Sequence, residues 1–377
     1  MTTLHASQTA ALEHFSRHAR GRGDAARRTI AHVLRMSDIP REAYEEAVAG
    51  VKSHARVALH FHPDRLDTVG KSVAEALLAS GLYKSQFETG LSSGSVSAHP
   101  GGERDLWEAK LFGGAYHGEG VSNGHRPKYG ALDLMRHPDG PAPRFGSCYF
   151  LLRPAVSARC TFTYLDSHQD PPEKGTLGEF DDVMAALLTE VFLRDFAIGE
   201  KELTPPRLVA HLSSRLALPF DDPSRGSPAR NLNHYVEAQV HGEVSLERDA
   251  EILVADPSFR DTPTGDAMEQ LCDLYGIALH WHCGFALPLG EVPTDFRGPT
   301  MPSLAKRVAS ADHVDAGMIG NAAKGLARDP SAWSDRGTPA EVLQELKLLW
   351  HVLVRCGRPL SETIRSNPSH KLDFTVV

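Results

Sequence analysis

The sequence predicts an α+β fold, with a strand-rich core and helical segments at both ends. Between residues 55 and 287, short runs rich in β-branched and aromatic residues recur, each bounded by Pro, Gly or Asp. Amphipathic spacing with helix-start signals marks the opening residues 1–53 and the late stretch "PAEVLQELKLLWHVLVRC". No repeated strand–helix unit runs through the chain, which argues against an eightfold barrel.

Each element follows from local signals. In "SDIPREAYEEAVAGVKSHA", Asp38 as cap, Pro40 near the first turn and early acids start a helix. "RVALHFHPDR" is a short apolar strand ending at Pro63, "KSVAEALLASGLYKSQF" returns to helix, and Gly90 closes the following "ETG" as a turn. From Leu91 to Gly130 glycine is dense, and loops with short strands are expected. "PKYGALDL", "GSCYFLLRP" and "ARCTFTYL" read as strands, while "EFDDVMAALLTEVFLRDF" and "TPPRLVAHLSSRLAL" read as helices. "YVEAQVHGEV" and "AEILVADPSF" are two strands joined by "SLERD"; a helix at "GDAMEQLCDLYG" and a strand at "IALHWHCGFAL" follow. This gives an N-terminal helical segment 1–53, a core 54–287 and a mostly helical C-terminal segment 288–377.

Composition narrows function by exclusion. With 41% apolar and 23% charged residues, the 377-residue chain is globular, and its net charge of −8 gives no electrostatic case for nucleic acid. No run approaches the roughly 18 consecutive apolar residues of a membrane span. The start lacks a signal peptide's apolar stretch, so a cytoplasmic location is expected, with export by a route needing no such signal left open. Five scattered cysteines, none in a CxxC pair, support neither a zinc knuckle nor a disulfide framework.

The 20 histidines raise a metal hypothesis. His60 and His62 flank Phe61 and project from one strand face, and His280/His282 repeat the spacing. A metal-dependent hydrolase is therefore an alternative, although no metal ligands are assigned. There is no G-x-S-x-G elbow, Cys148 sits mid-strand, and "GTLGEF" and "PGGERD" match neither a P-loop nor a dinucleotide fingerprint. The strand "YVEAQVHG" places Glu237, Gln239 and His241 on one face, either solvated or a working surface.

The order of these features resembles the ADP-ribosyltransferase superfamily. A strand carries His60/His62, a Gly-rich segment follows, and a later strand opens with Glu237. The segments "QFETGLSSG", "PGGERDLWEAKLFGGAY", "RPKYGALDL", "PRFGSCYFLLRP" and "TFTYLDS" also resemble a bacterial family known only as a domain of unknown function, itself associated with that superfamily. The resemblance implies a split-sheet ADP-ribosyltransferase-like core, NAD as co-substrate, and transfer of ADP-ribose to a protein side chain or to water.

On that footing Glu237 is the catalytic carboxylate, with Glu243 as back-up. His62 holds ribose, His60 being its rival on the same face. Tyr116 in "FGGAYHG" stacks on nicotinamide, Tyr129 being its rival. Gln239 orients a substrate or ribose, and Arg104 or Arg126 meets the pyrophosphate. Arg65, with Ser92 or Ser93, keeps the arginine-type variant of the superfamily open, because "HFHPDR" is neither the usual His-Gly pair nor the plain Arg strand. A catalytically inactive nucleotide-binding module is the non-enzymatic alternative.

Overall fold

The computed structural model describes residues 3–67, 69–90, 98–223 and 225–361. Two helices open it. In α1 (Ala6–Met36), Ala11, Phe15, Ala19, Ala26, Ile30 and Val33 form the buried stripe that helical periodicity requires. It packs on α5 (Asp181–Arg194), while α2 (Arg41–His54) packs on α6 (Pro205–Ser214). Pro40, not Asp38, is the N-cap of α2; Asp38 instead takes a left-handed turn with φ 50°.

Eight strands form the main sheet: β1 (Arg56–Phe61), β2 (Lys128–Asp133), β3 (Cys148–Leu152), β4 (Cys160–Tyr164), β5 (Lys174–Thr176), β6 (Val236–Val240), β7 (Ala250–Ala255) and β8 (Ala278–Trp281). Their spatial order is β8-β7-β3-β1-β2-β6-β4-β5. Only β7 and β8 run parallel, joined by the crossover helix α7 (Pro263–Tyr275). The two strands joined by "SLERD" are not neighbours: β6 lies between β2 and β4, and β7 lies beside β3.

The pleat divides the sheet chemically. Val57, Leu59, Phe150, Leu152, Phe162, Ala238 and Val240 share one face and join Ile30, Val33, Val183, Leu187 and Leu208 in the main core. His60, Tyr149, Tyr129, Glu237, Gln239 and Thr161 point the other way, as their cross-strand pairings require. A strand with polar residues at alternate positions would ordinarily expose them, yet His60, Glu237, Gln239 and Thr161 are all buried. This polar face is covered, not solvated.

Two expectations need correction. The Gly-dense stretch contains a helix, α4 (Glu103–Leu111), following α3 (Val73–Ser80). Its buried side chains include Arg104, Asp105 and Glu108, so it has no apolar periodicity to reveal it. "IALHWHCGFAL" is two strands: Gly284 turns the chain at φ 75°, and Ala286–Pro288 pairs instead with His313–Asp315. Three helices complete the C-terminal segment: α8 (Met301–Val308), α9 (Ala316–Arg328) and α10 (Pro339–Cys356). No helix among the described residues is long and apolar enough to cross a membrane.

The central strands are only partly zipped. β1 and β2 pair over three positions, Arg56/Asp133, Val57/Leu132 and Ala58/Ala131. β1 then continues to Phe61 and β2 begins at Lys128, with no pairing recorded between those ends. Gly130 sits where the strands part, and a Cβ there would lie 2.4 Å from the Ala58 carbonyl oxygen and 2.7 Å from Leu59 Cδ2. Gly130→Ala should therefore cost about 2 kcal/mol or more by overpacking. A lower urea midpoint would show it; an unchanged midpoint would mean that the two halves of the sheet slide freely.

Candidate functional site

The parted ends of β1 and β2 border a cavity of about 550 Å³. His60 and His62 line it from β1 and its exit, Tyr129 from β2, and Glu237 from β6, with Asp166 following β4. Arg104 and Trp107 of α4 and Lys347 of α10 also line it.

Glu237 is the most constrained of these groups. It is 5% exposed and accepts hydrogen bonds from Gln239 Nε2 at 2.8 Å, the Ser167 amide at 3.3 Å and the Ser167 hydroxyl. Burial first, and the neighbouring Asp166 carboxylate second, push its pKa up to about 7, against the pull of those three donors. Asp166 itself accepts from the Tyr235 hydroxyl at 3.2 Å. The protein thus holds a carboxylate pushed toward its neutral form beside a cavity.

Helix α4 braces this arrangement from two sides. Trp107 Nε1 donates to the Ser167 carbonyl at 3.0 Å, fixing the residue that holds Glu237. Glu108, fully buried, accepts from the Tyr129 hydroxyl at 2.8 Å and from Arg126 Nη1 at 3.0 Å. Arg126 also binds Asp105, so its guanidinium is spent inside the protein. Arg104 lies over the Trp107 and Tyr129 rings, 4.7 and 5.1 Å from their centroids. Tyr129 is therefore locked in place at the cavity wall.

The two β1 histidines differ in availability. His60 Nδ1 donates to the Gly146 carbonyl at 3.1 Å, and its Nε2 accepts from the Ala142 amide at 3.3 Å. His62 meets the edge of Trp350, and its ring nitrogens carry no hydrogen bond to another described residue. Burial holds both rings neutral, with pKa values down to about 3. Of the two, His62 has ring nitrogens left for a ligand. His282 is spent like His60, donating from Nε2 to the Ser147 carbonyl and accepting the Gly284 amide at Nδ1, both at 2.9 Å. Among the described residues, no three His, Cys, Asp or Glu side chains converge so as to hold a metal ion.

Other expected residues lie elsewhere. Tyr116 does not line the cavity: it is 2% exposed, packed with Ala11, Phe15, Leu111 and Phe112, and its hydroxyl meets His241 Nδ1 at 2.5 Å. The glycines before it close a turn of the backbone instead of admitting a ligand, whereas Tyr129 does line the cavity, as does Tyr83. Gln239 does not reach the cavity either. Its oxygen accepts from Thr161 Oγ1 at 2.7 Å and its amide holds Glu237, so it positions the carboxylate. Glu243 pairs with Arg248 at the surface. Arg65 does line the cavity, and Ser92 and Ser93 lie outside the described residues.

Sequence reasoning missed Asp166, Ser167, Trp107, Glu108, Arg144 and Lys347. A family model described as Protein of unknown function (DUF3626) matches residues 56–356, a span containing every cavity residue named above. Comparison with curated proteins finds no match.

The raised pKa has a measurable consequence. Below pH 4.5 Glu237 is protonated in both folded and unfolded chains and contributes no pH dependence. As pH rises from 4.5 to about 7, the unfolded chain sheds this proton while the folded chain keeps it, so stability falls. The loss levels off above pH 7 at roughly 3 kcal/mol. Glu237→Gln removes it, so thermal denaturation should find the variant increasingly more stable than wild type from pH 5 to pH 8. A difference that does not change with pH would mean that Glu237 is not held protonated.

Proposed function

The chain belongs to the DUF3626 family, and we propose that its cavity binds NAD and transfers ADP-ribose to a protein side chain or to water. The observation that carries this reading is Glu237: a carboxylate opening a strand, buried, rigidly held, and bordering a cavity between two parted strands.

Cleaving the bond between nicotinamide and ribose develops positive charge on the sugar, as in glycoside hydrolysis. The leaving group is already a pyridinium cation, so its departure as neutral nicotinamide requires no proton. What lowers the barrier is a fixed negative charge beside the ribose. Ionised Glu237 supplies it, and the Ser167 and Gln239 donors keep the carboxylate from turning away. Neutral His62 has nitrogens for ribose hydroxyls. Tyr129, braced by Glu108, offers a flat face for nicotinamide in the role the sequence had suggested for Tyr116. The acceptor nucleophile, a side chain or water, then closes on the anomeric carbon and loses its proton to solvent.

The metal-hydrolase alternative loses support from its own histidines, because both ring nitrogens of His60 and of His282 already serve backbone groups. Etheno-NAD fluorescence tests the transferase reading directly. Turnover by wild type should fall at least about 100-fold in Glu237→Gln, the scale of losing a transition-state electrostatic contact. Equal rates sink Glu237 as the catalytic group, and NAD binding without turnover by either protein leaves the inactive nucleotide-binding module. The pH profile gives a second readout. Since the ionised form acts, kcat/KM should rise with pH through about 7 and level off above it; a profile falling over that range would reverse the assigned role.

A further inference from the structure

Behind Glu237 a line of buried polar side chains runs along the covered face of the sheet, away from the cavity. Gln239 and His241 follow Glu237 at alternate positions, and Thr161 of β4 lies opposite Gln239. Gln239 Nε2 donates to Glu237 at 2.8 Å, and Thr161 Oγ1 donates to the Gln239 oxygen at 2.7 Å. His241 Nε2 meets the same Thr161 hydroxyl at 3.0 Å, and His241 Nδ1 meets the Tyr116 hydroxyl. Gln239, Thr161 and His241 are fully buried, and Tyr116 nearly so. Phe112 stands edge-on to the His241 ring, 5.6 Å between centroids, and Phe15 of α1 backs Phe112 at the same spacing.

Proton counting fixes the direction of this line. Ionised Glu237 only accepts, so Gln239 turns its amide N–H toward it and its oxygen toward Thr161. The single Thr161 proton is then committed to Gln239, and the Thr161 oxygen must accept from His241 Nε2. Burial first, then the charges of Lys128 and Arg159, hold the His241 ring neutral, with its pKa down to about 3. A neutral ring protonated on Nε2 leaves Nδ1 to accept the Tyr116 hydroxyl. Among the described residues that hydroxyl has no other hydrogen-bond partner. Every donor therefore points toward Glu237. The reverse order would leave the Tyr116 proton buried without an acceptor.

We propose that Tyr116, His241 and Thr161 are positioning residues for Glu237, forming a one-way chain of donors, anchored by the Tyr116 hydroxyl, that holds the Gln239 amide on the carboxylate and favours its ionised form. This rests on the reading above, in which ionised Glu237 faces the ribose. Tyr116 thus serves the site without touching a ligand. The ionisable groups that face Glu237 are Asp166 after β4, Tyr235 ahead of β6 and Tyr129 of β2. None of them belongs to the donor chain, so the chain can be cut without replacing any. Cutting it weakens a bond that stabilises the ionised carboxylate, and Glu237 then ionises at higher pH.

Nitrogen-15 NMR of the histidine rings in the full chain reads the direction of the chain without any ligand, His241 being assigned by its loss in His241→Asn. At neutral pH wild type should show His241 protonated on Nε2 alone; a proton on Nδ1, or on both nitrogens, overturns the proposal. Tyr116→Phe keeps the ring and removes the hydroxyl, and should let the tautomers mix. Carbon-13 NMR of the Glu237 carboxyl, assigned with Glu237→Gln, then follows its ionisation. Tyr116→Phe and Thr161→Val should raise the midpoint by roughly one pH unit, whereas Thr161→Ser, which keeps the hydroxyl, should match wild type. In turnover of NAD, both disruptive variants should lose about fivefold in kcat/KM at pH 7 and recover the wild-type plateau at higher pH. A loss equal at every pH is ordinary damage to the fold and overturns the role, as does an unmoved Glu237 midpoint in both. Raised midpoints without NAD turnover by wild type keep the chain and discard the reaction. Turnover with unmoved midpoints keeps the reaction and discards the chain.

Discussion

A strand that leaves its neighbour must still satisfy its backbone, and that constraint governs this architecture. When β1 and β2 part after three pairs, each has to rely on its other side. β1 remains laddered to β3 through Phe61/Cys148, and the His60 carbonyl accepts the Tyr83 hydroxyl. β2 remains laddered to β6 down to Lys128/Val240. The sheet therefore divides into two four-stranded halves joined through Arg56/Asp133, Val57/Leu132 and Ala58/Ala131. Side chains that would have met across a closed sheet border a cavity instead.

Building a polar face into a buried surface then demands a second layer of partners. Here that layer is α4, the 3-10 turn at Ser167 and the loop ending at Gly146. Trp107 fixes Ser167, Ser167 fixes Glu237, Glu108 fixes Tyr129, and Gly146 fixes His60. These contacts are short and directional, so they hold the cavity side chains more tightly than packing alone would. Burial on this face drives ionisable groups toward neutrality, Glu237 upward and His60 and His62 downward, while the hydrogen bonds to Glu237 and His60 act in the opposite sense. A fold that keeps such groups in place gives up stability for an arrangement of charge.

Much of the fold could be read from local pattern, and the reason is that local rules formed it. Seven of the eight main-sheet strands and the long helices carry strand or helix signals on their own residues; the short edge strand Lys174–Thr176 does not. The failures share another cause. Helix α4 buries Arg104, Asp105 and Glu108, so apolar periodicity could not announce it. Tyr116 and Tyr129 both follow or adjoin glycine, and only the three-dimensional neighbours decide which meets the cavity. Of the expected site, Glu237, His60, His62, Arg65 and Tyr129 do come together around one cavity, although they arise from three strands and a loop. Asp166 and Lys347 were invisible because nothing in their own segments distinguishes them from surface charges.

Trp350 donates from Nε1 to the Pro143 carbonyl at 3.0 Å, tying α10 to the turn that carries Arg144. One turn earlier the same helix places Lys347 in the cavity wall. Because a chain is made from its N-terminus, β1 and β6 are translated well before α10. A ribosome-bound chain thus exposes Glu237 and His62 while one wall is still missing. The cavity wall at Lys347 is therefore completed only once α10 has been made.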